Sequence, residues 1–204
     1  LVSESTRMLR ATLPATLQLV ARVVGDPVAR VDPVQAHQVL LNLCINARDA
    51  MDEAGRIVVS SQRVQLSTTR CASCRHSFSG EFVELAVADS GTGIAPEVME
   101  RMFDPFFSTK EIGHGTGMGL SIVHGVVHEH GGHVLVESRR GVGTTFRVLL
   151  PLATAAVDAG RPKPRILAQI PTAVSDDVDA AKDFVAERLS FYEKIPSYQK
   201  VIAR

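Results

Sequence analysis

The stretch Gly113-His-Gly-Thr-Gly-Met-Gly-Leu120 constrains this chain more than any other. Glycine loses more backbone freedom on ordering than any other residue, so glycines at every second position cannot hold a strand or helix unaided. The residues that follow change character at once. Leu120, Val123, Val127 and His130 recur at helical spacing, with Ile122 and Val126 beside them. A glycine-rich loop that opens a helix suits phosphate: the backbone approaches the oxygens closely, and the helix start adds unpaired N–H donors. The spacing is not that of a P-loop, which needs Gly-Lys-Ser/Thr. Nor is it the dinucleotide fingerprint, because no strand leads directly in. A plain surface loop has the same composition, and the rest of the chain has to decide between the two.

The second informative stretch runs from about Pro33 to Glu53. Asp32 is placed as a helix cap and Pro33 as first helical residue. The sequence is apolar on most sides except for one stripe: Gln38, Asn42, Asn46 and Asp49, spaced four, four and three apart. Burying such groups without partners costs several kcal/mol in total, on the order of 1–3 each. Either a neighbouring loop's backbone satisfies them, or they face a polar ligand or hydrated cation. Asparagine carbonyl oxygens suit Mg²⁺, a hard ion that takes few protein ligands and shares phosphates.

The remaining elements follow from local pattern. Residues 3–13 predict a short helix, Leu17 to Val24 a strand, and Val28 to Val31 a short extended piece. Arg56 to Val64 is a strand, interrupted by the polar segment Gln65 to Gly80. That segment holds Cys71-Ala-Ser-Cys74-Arg-His76; two cysteines and a histidine could donate to zinc, but one CxxC is half of a usual site, and a surface hairpin with free thiols is the reading adopted. Glu81 to Ala88 is a strand ending in Asp89-Ser-Gly91-Thr-Gly93-Ile. A carboxylate past a buried strand, followed by glycines, fits a pocket floor that accepts a hydrogen bond from a ring amine; a tight Asx-turn has the same signature. Pro96 to Arg101 is a short helix, and Phe103 to Lys110 leads into the glycine loop, so that residues 103–117 read as a lid anchored by its three phenylalanines. Gly131-Gly132 stops the second long helix, and His133–Ser138 and Thr145–Pro151 are strands joined by a hairpin-like turn. The order predicts an α+β two-layer sandwich with a mixed, mostly antiparallel sheet, helices on one face, and a second face that is covered or polar.

Bulk composition excludes several classes. In 204 residues, 22 basic and 22 acidic side chains balance, which gives no reason to expect a nucleic-acid surface. No apolar run reaches the ~20 residues of a membrane span, and no signal-peptide pattern opens the chain. Three cysteines do not make a disulfide framework, so a cytoplasmic location is expected. A first residue of Leu rather than Met hints at a piece of something longer.

Four segments, in order, resemble the nucleotide boxes of the sensor histidine kinase catalytic domain, of the GHKL superfamily: Asn42-Leu-Cys-Ile-Asn46-Ala, Asp89-Ser-Gly-Thr-Gly93-Ile, Phe103-Asp-Pro-Phe-Phe107 and Gly115-Thr-Gly-Met-Gly119-Leu. The similarity covers roughly residues 5–152 and is nearest to kinases of the nitrogen- and oxygen-sensor type. It implies a Bergerat-type ATP-binding fold with ATP and Mg²⁺ as cofactors. By the same resemblance Asn46 is the metal ligand, Asn42 helps to place the phosphates, and Lys110 is a phosphate partner. Asp89 accepts from the adenine amine, Gly91 and Gly93 admit the ring, and Gly115, Thr116, Gly117, Gly119 and Leu120 follow the triphosphate. Related ATPases carry glutamate at the position of Asn42, and an amide cannot act as a general base, which favours a kinase over a stand-alone ATPase or a non-catalytic binding module.

The resemblance also implies partners: a phosphoacceptor helical-hairpin domain and a downstream response regulator. No His-Glu/Asp-x-x-x-x-Pro acceptor stands in this chain, and His37, His76, His114, His124, His128, His130 and His133 read as surface or packing residues. Residues 153–164 read as a linker. Arg165 to Arg204 resembles a short internal piece of luciferase-like monooxygenases, too short for a barrel, and no activity is expected of it.

Overall fold

Alternation along the strands decides which side of the sheet is buried. In the computed structural model, which describes residues 2, 9–10, 13–51, 54–110 and 116–153, the strands are β1 (Leu17–Val23), β2 (Gly55–Arg70), β3 (Ser77–Asp89), β4 (His133–Arg139) and β5 (Gly143–Pro151). The helices are α1 (Pro33–Asp49), α2 (Pro96–Met99) and α3 (Gly119–Glu129). Ile57 and Val59 of β2, Leu85 and Val87 of β3, Val134 of β4 and Phe146, Val148 and Leu150 of β5 fall at alternate positions and form one core with α1 and α3. From α1 come Val39, Leu40, Leu43, Cys44 and Ala47; from α3 come Val123, Val126 and Val127. A one-residue slip in any strand would turn that set to the opposite face, so the pattern pins the register.

The sheet runs β1-β2-β3-β5-β4. β1 lies parallel to β2, and every other pairing is antiparallel. The result is the expected α+β two-layer sandwich with a mixed, open sheet. Its other face is polar at the centre. Gln62 Nε2 donates to Glu84 Oε1 (2.9 Å), Arg147 Nε to Glu84 Oε2 (2.6 Å), and the Arg147 guanidinium reaches Glu137 Oε1 at 3.1 Å, one chain of hydrogen bonds across four strands. Glu84 is buried, and these partners are what make its burial tolerable.

The two long helices are tied at one end. Asp32 caps α1 through Oδ1, accepting from Val34 N (2.8 Å) and Gln35 N (2.9 Å), as its sequence position predicts. The backbone N–H of Asp32 donates to His130 Nε2 at 3.1 Å, just past the end of α3, while His130 Nδ1 donates to Val126 O at 2.8 Å. His130 is thus a satisfied packing histidine, and Gln35 adds a contact to Glu129.

Three local expectations change. α1 ends at Asp49 rather than near Glu53, because Ala50 O accepts from Thr92 N (3.0 Å) of the loop after β3. The piece Val28 to Val31 reduces to one bridge, Ala29 with Leu152. The polar segment after Val64 does not interrupt its strand: its threonines and serine are compatible with extended backbone, so β2 runs to Arg70 and β3 begins at Ser77. A register shift between Leu66 and Thr69, and Gly80 at φ 140°, bend this long hairpin. Its turn reaches the edge strand β4, where Ala72 N donates to Val134 O at 2.7 Å. Cys71 is therefore buried, not a surface thiol as expected; the three cysteines are free.

The chain divides into two units, Leu1–Ala159 and Gly160–Arg204. The monooxygenase-like segment, most of the linker and most of the N-terminal helix expected over residues 3–13 lie outside the described residues. Leu9, which is described, packs in the core. Among the described residues no helix is long and apolar enough to cross a membrane.

Candidate functional site

The polar stripe of α1 meets the start of α3. Asn42 and Asn46 are half-buried, one turn apart. A Cβ placed on Gly119 would stand 3.5 Å from Asn42 Oδ1 and 3.9 Å from Asn46 Nδ2, ordinary contact distances. The first residue of α3 thus lies over the two amides. Unlike α1, α3 has no side-chain cap among the described residues: Met118 occupies the cap position without such a bond, and no acidic residue stands in the first turn. Among the described residues its first N–H groups therefore have no side-chain acceptor, and they carry the partial positive charge that favours an anion. Leu120, half-buried, fixes this turn by packing against the core. Thr116 Oγ1 accepts from Met118 N at 3.4 Å, and Gly115 lies outside the described residues.

Asp89 ends β3 and is half-buried. Its Oδ1 accepts from Gly91 N (2.9 Å) and from Thr144 N (3.1 Å). The Asx-turn is therefore present, yet both bonds use one oxygen, and among the described residues none donates to Oδ2. Burial pushes the Asp89 carboxyl above its usual range, against the two backbone hydrogen bonds that pull it down.

The glycines here have steric reasons beyond admitting a ring. A Cβ on Gly91 would fall 2.5 Å from Ala50 O, and one on Gly93, at φ 71°, would fall 2.3 Å from Arg139 O. Both residues are packed against backbone, which fixes the loop between the end of α1 and the β4–β5 turn. Gly117, at φ 65°, is equally close to the Phe106 backbone, and its carbonyl accepts from Phe106 N at 3.0 Å.

The three phenylalanines do not form one anchor. Phe103 packs against the core, Phe106 is exposed, and Phe107 lies beneath the Arg101 guanidinium, 4.8 Å from its ring centroid. The turn closed by Phe107 N and Asp104 O, with Phe106 at φ 65°, sends the rings in different directions. The anchoring belongs to Phe103 and its neighbour Met102, which is buried.

Lys110 is brought to the last member of the stripe: its Nζ lies 2.5 Å from Asp49 Oδ2, and Arg48 joins the same carboxylate at 2.7 Å. Burial pushes the Asp49 carboxyl up, but Lys110 and Arg48 outweigh it and hold it below its usual range. A carboxyl lowered in the folded chain adds stability above its unfolded pKa, ~3.9, and that contribution is lost as pH falls through the lower folded value. The pair is a quarter to a third exposed, so its worth is below about 1 kcal/mol. Asp49→Asn is expected to lower Tm slightly at neutral pH, with the difference from wild type vanishing as pH falls through the lowered folded value; thermal melts across pH check this, and a difference that grows in acid contradicts it.

Sequence reasoning missed Gly143, Thr144 and the carbonyl of Ala50. Gly143 was legible only as a turn glycine, and nothing local to Thr144 marks its backbone N–H as the second support of Asp89.

Residues 31–154 match the family described as histidine kinase-, DNA gyrase B-, and HSP90-like ATPase. Over 145 residues, 65% of the chain, the sequence is 39% identical to the sensor kinase CckA of Brucella abortus (strain 2308), and spans 15% of that protein's length. The fold is similar to the nucleotide-free catalytic domain of histidine kinase ThkA, with TM-score 0.58 and 29% identity over 74% of this chain and 89% of that one. Full-length ShkA in complex with AMPPNP matches with TM-score 0.59 and 26% identity, over 76% of this chain and 30% of that one. The chain therefore belongs to the histidine kinase-, DNA gyrase B-, and HSP90-like ATPase family, and what it carries is a sensor histidine kinase ATP-binding domain.

Proposed function

We propose that the chain binds Mg·ATP between α1, the start of α3 and the end of β3, and presents the γ-phosphate to a histidine on a separate helical-hairpin domain in two-component signalling. The observation that carries this is the uncapped start of α3 lying over Asn42 and Asn46. Two amides and a set of free N–H donors suit a triphosphate with a hard cation. Asn46 would hold Mg²⁺, which when bound neutralises phosphate charge. Asn42 orients phosphate oxygens but, as an amide, has no proton-accepting base to activate water. The site therefore holds a phosphoryl donor without spending it quickly on hydrolysis, and its contribution is positioning and charge. At the other end, Asp89 Oδ2 accepts from the adenine amine. Lys110 exchanges its Asp49 contact for a phosphate oxygen. AMPPNP in ShkA, which shares the fold, agrees with an adenine nucleotide here. The partners are the hairpin domain and, after it, a response regulator, with the reaction on the cytoplasmic side.

The test supplies a phosphoacceptor hairpin domain in trans with labelled ATP. Phosphohistidine should form faster than phosphate is released; rapid steady-state phosphate release without labelled hairpin overturns the kinase reading. Asp89→Asn isolates the adenine contact. The amide keeps Oδ1 for Gly91 and Thr144, so the turn stays, but it presents an NH₂ where Oδ2 stood. ATP affinity should fall by ~10-fold or more and the preference over GTP should disappear; competition binding that shows an unchanged preference removes Asp89 from the pocket floor.

A further inference from the structure

The turn of the β2–β3 hairpin carries chemistry that the nucleotide site does not use. Cys71 and Cys74 of that turn, His128 in the last turn of α3, and His133 at the start of β4 each bring one sulfur or imidazole nitrogen to a common point, all within 4.8 Å of one another. Cys71 is buried and the other three are half-buried. We infer that these four side chains form a structural zinc site that clips the hairpin turn to the end of α3 and to the edge strand β4.

The donor set is that of a closed tetrahedral Zn²⁺ site, two sulfurs and two nitrogens. Bonds of ~2.3 Å to sulfur and ~2.0–2.1 Å to nitrogen place tetrahedral ligand atoms roughly 3.3–3.8 Å apart, and Cys71 Sγ already lies 3.7 Å from His128 Nε2. The His128 ring is oriented for the task. Its Nδ1 is 2.8 Å from His124 O and donates to it, which leaves the lone pair on Nε2, the nitrogen facing Cys71. His133 is held by Phe78, stacked on its ring at 3.9 Å and 8°. Its Nδ1 is buried with no hydrogen-bond partner among the described residues, a deficit that calls for an explanation.

The cysteine turn is shaped in the same sense. Val134 N donates to Cys71 Sγ at 3.4 Å, and Ser73 Oγ is equally near. Arg75 adopts φ 66°, unusual for a non-glycine residue, and its N–H closes the turn on Cys71 O at 3.1 Å.

The sequence holds both halves, Cys-x₂-Cys at 71–74 and His-x₄-His at 128–133, in the spacings zinc sites use. They are too far apart along the chain to be read as one finger; the bent hairpin joins them. His76, the donor nearest the cysteines in sequence, is exposed and not part of the group.

The full chain, purified under reductant, should contain one zinc per molecule by elemental analysis. After chelation, Co²⁺ should produce the thiolate-to-cobalt charge-transfer band and the intense visible absorption of a tetrahedral site, saturating at one equivalent and displaced by Zn²⁺. Chelation should also lower Tm. Cys71→Ser/Cys74→Ser should abolish the charge-transfer band, and His128→Ala should weaken Co²⁺ binding by at least ~100-fold while keeping that band. Weak octahedral absorption from the unsubstituted chain overturns the proposal whatever the variants do. So does stoichiometric zinc retained by the double serine variant.

Discussion

Replacing Asn46 by alanine is expected to reduce Mg²⁺-dependent affinity for a non-hydrolysable ATP analogue by roughly 100-fold, while metal-free affinity changes by less than about threefold. The asymmetry follows from the layout. Asn46 is half-buried on the polar face of α1, and alanine has the higher helix propensity, so the helix itself does not suffer. Asp89, the proposed contact for the other end of the nucleotide, is supported by Gly91 and Thr144 and does not depend on α1's amides. What disappears is the Asn46 side-chain amide, whose Nδ2 lies 3.9 Å from where a Cβ on Gly119 would stand. Asn42→Ala makes the contrast, because a phosphate-placing amide should weaken binding with and without metal alike. Calorimetric titrations under both conditions separate the two; equal losses for Asn46→Ala remove the metal-ligand role, and no binding by the unsubstituted chain removes the site.

Gly143→Ala should destabilise the domain by about 3 kcal/mol, lowering Tm by roughly 10 °C. A Cβ there would stand 2.0 Å from Asp89 O and 3.1 Å from Ser90 Cα, against backbone that cannot rotate away. Its φ of 136° adds strain for any L side chain. Relief requires β5 to move away from the end of β3, which pulls Thr144 N from Asp89 Oδ1. Nucleotide affinity should therefore fall along with stability, and still be reduced when measured well below Tm. Gly141→Ala, at φ 74° but with open space around it, is the control and should cost only the conformational part, ~1 kcal/mol. Equal melting temperatures for the two variants would show that the Asp89 contact does not matter.

How much of this was legible in the sequence depended on range. The α1 stripe, the Asp32 cap and the glycine run before α3 are written locally, in spacings of three and four and in turn chemistry, and each was readable. The sheet order was not: that β5 inserts between β3 and β4 follows from register among strands dozens of residues apart. The phenylalanines of residues 103–107 read as one cluster because adjacency in sequence suggested adjacency in space, and a left-handed Phe106 breaks that link. Cys71 and Cys74 read as free thiols on a surface hairpin for the same reason, since His128 and His133 come near them only through a hairpin with a register shift and a Gly80 at φ 140°. Asp89 was placed correctly at a strand end, but its second support, Thr144 N, belongs to a strand that only the tertiary fold delivers.

The tie between Asp32 and His130 has a kinetic meaning. It fixes the end of α3 to the beginning of α1, so the two halves of the proposed phosphate cradle keep their spacing before any nucleotide arrives. Docking one helix on the other is not a step that the ligand must drive, and the ordering entropy of some thirty helical residues is settled during folding. Nucleotide exchange should then be governed by events at the rim of the cradle, and a substitution at His130 that loosens the helix pair should slow association more than it alters any contact with the bound nucleotide.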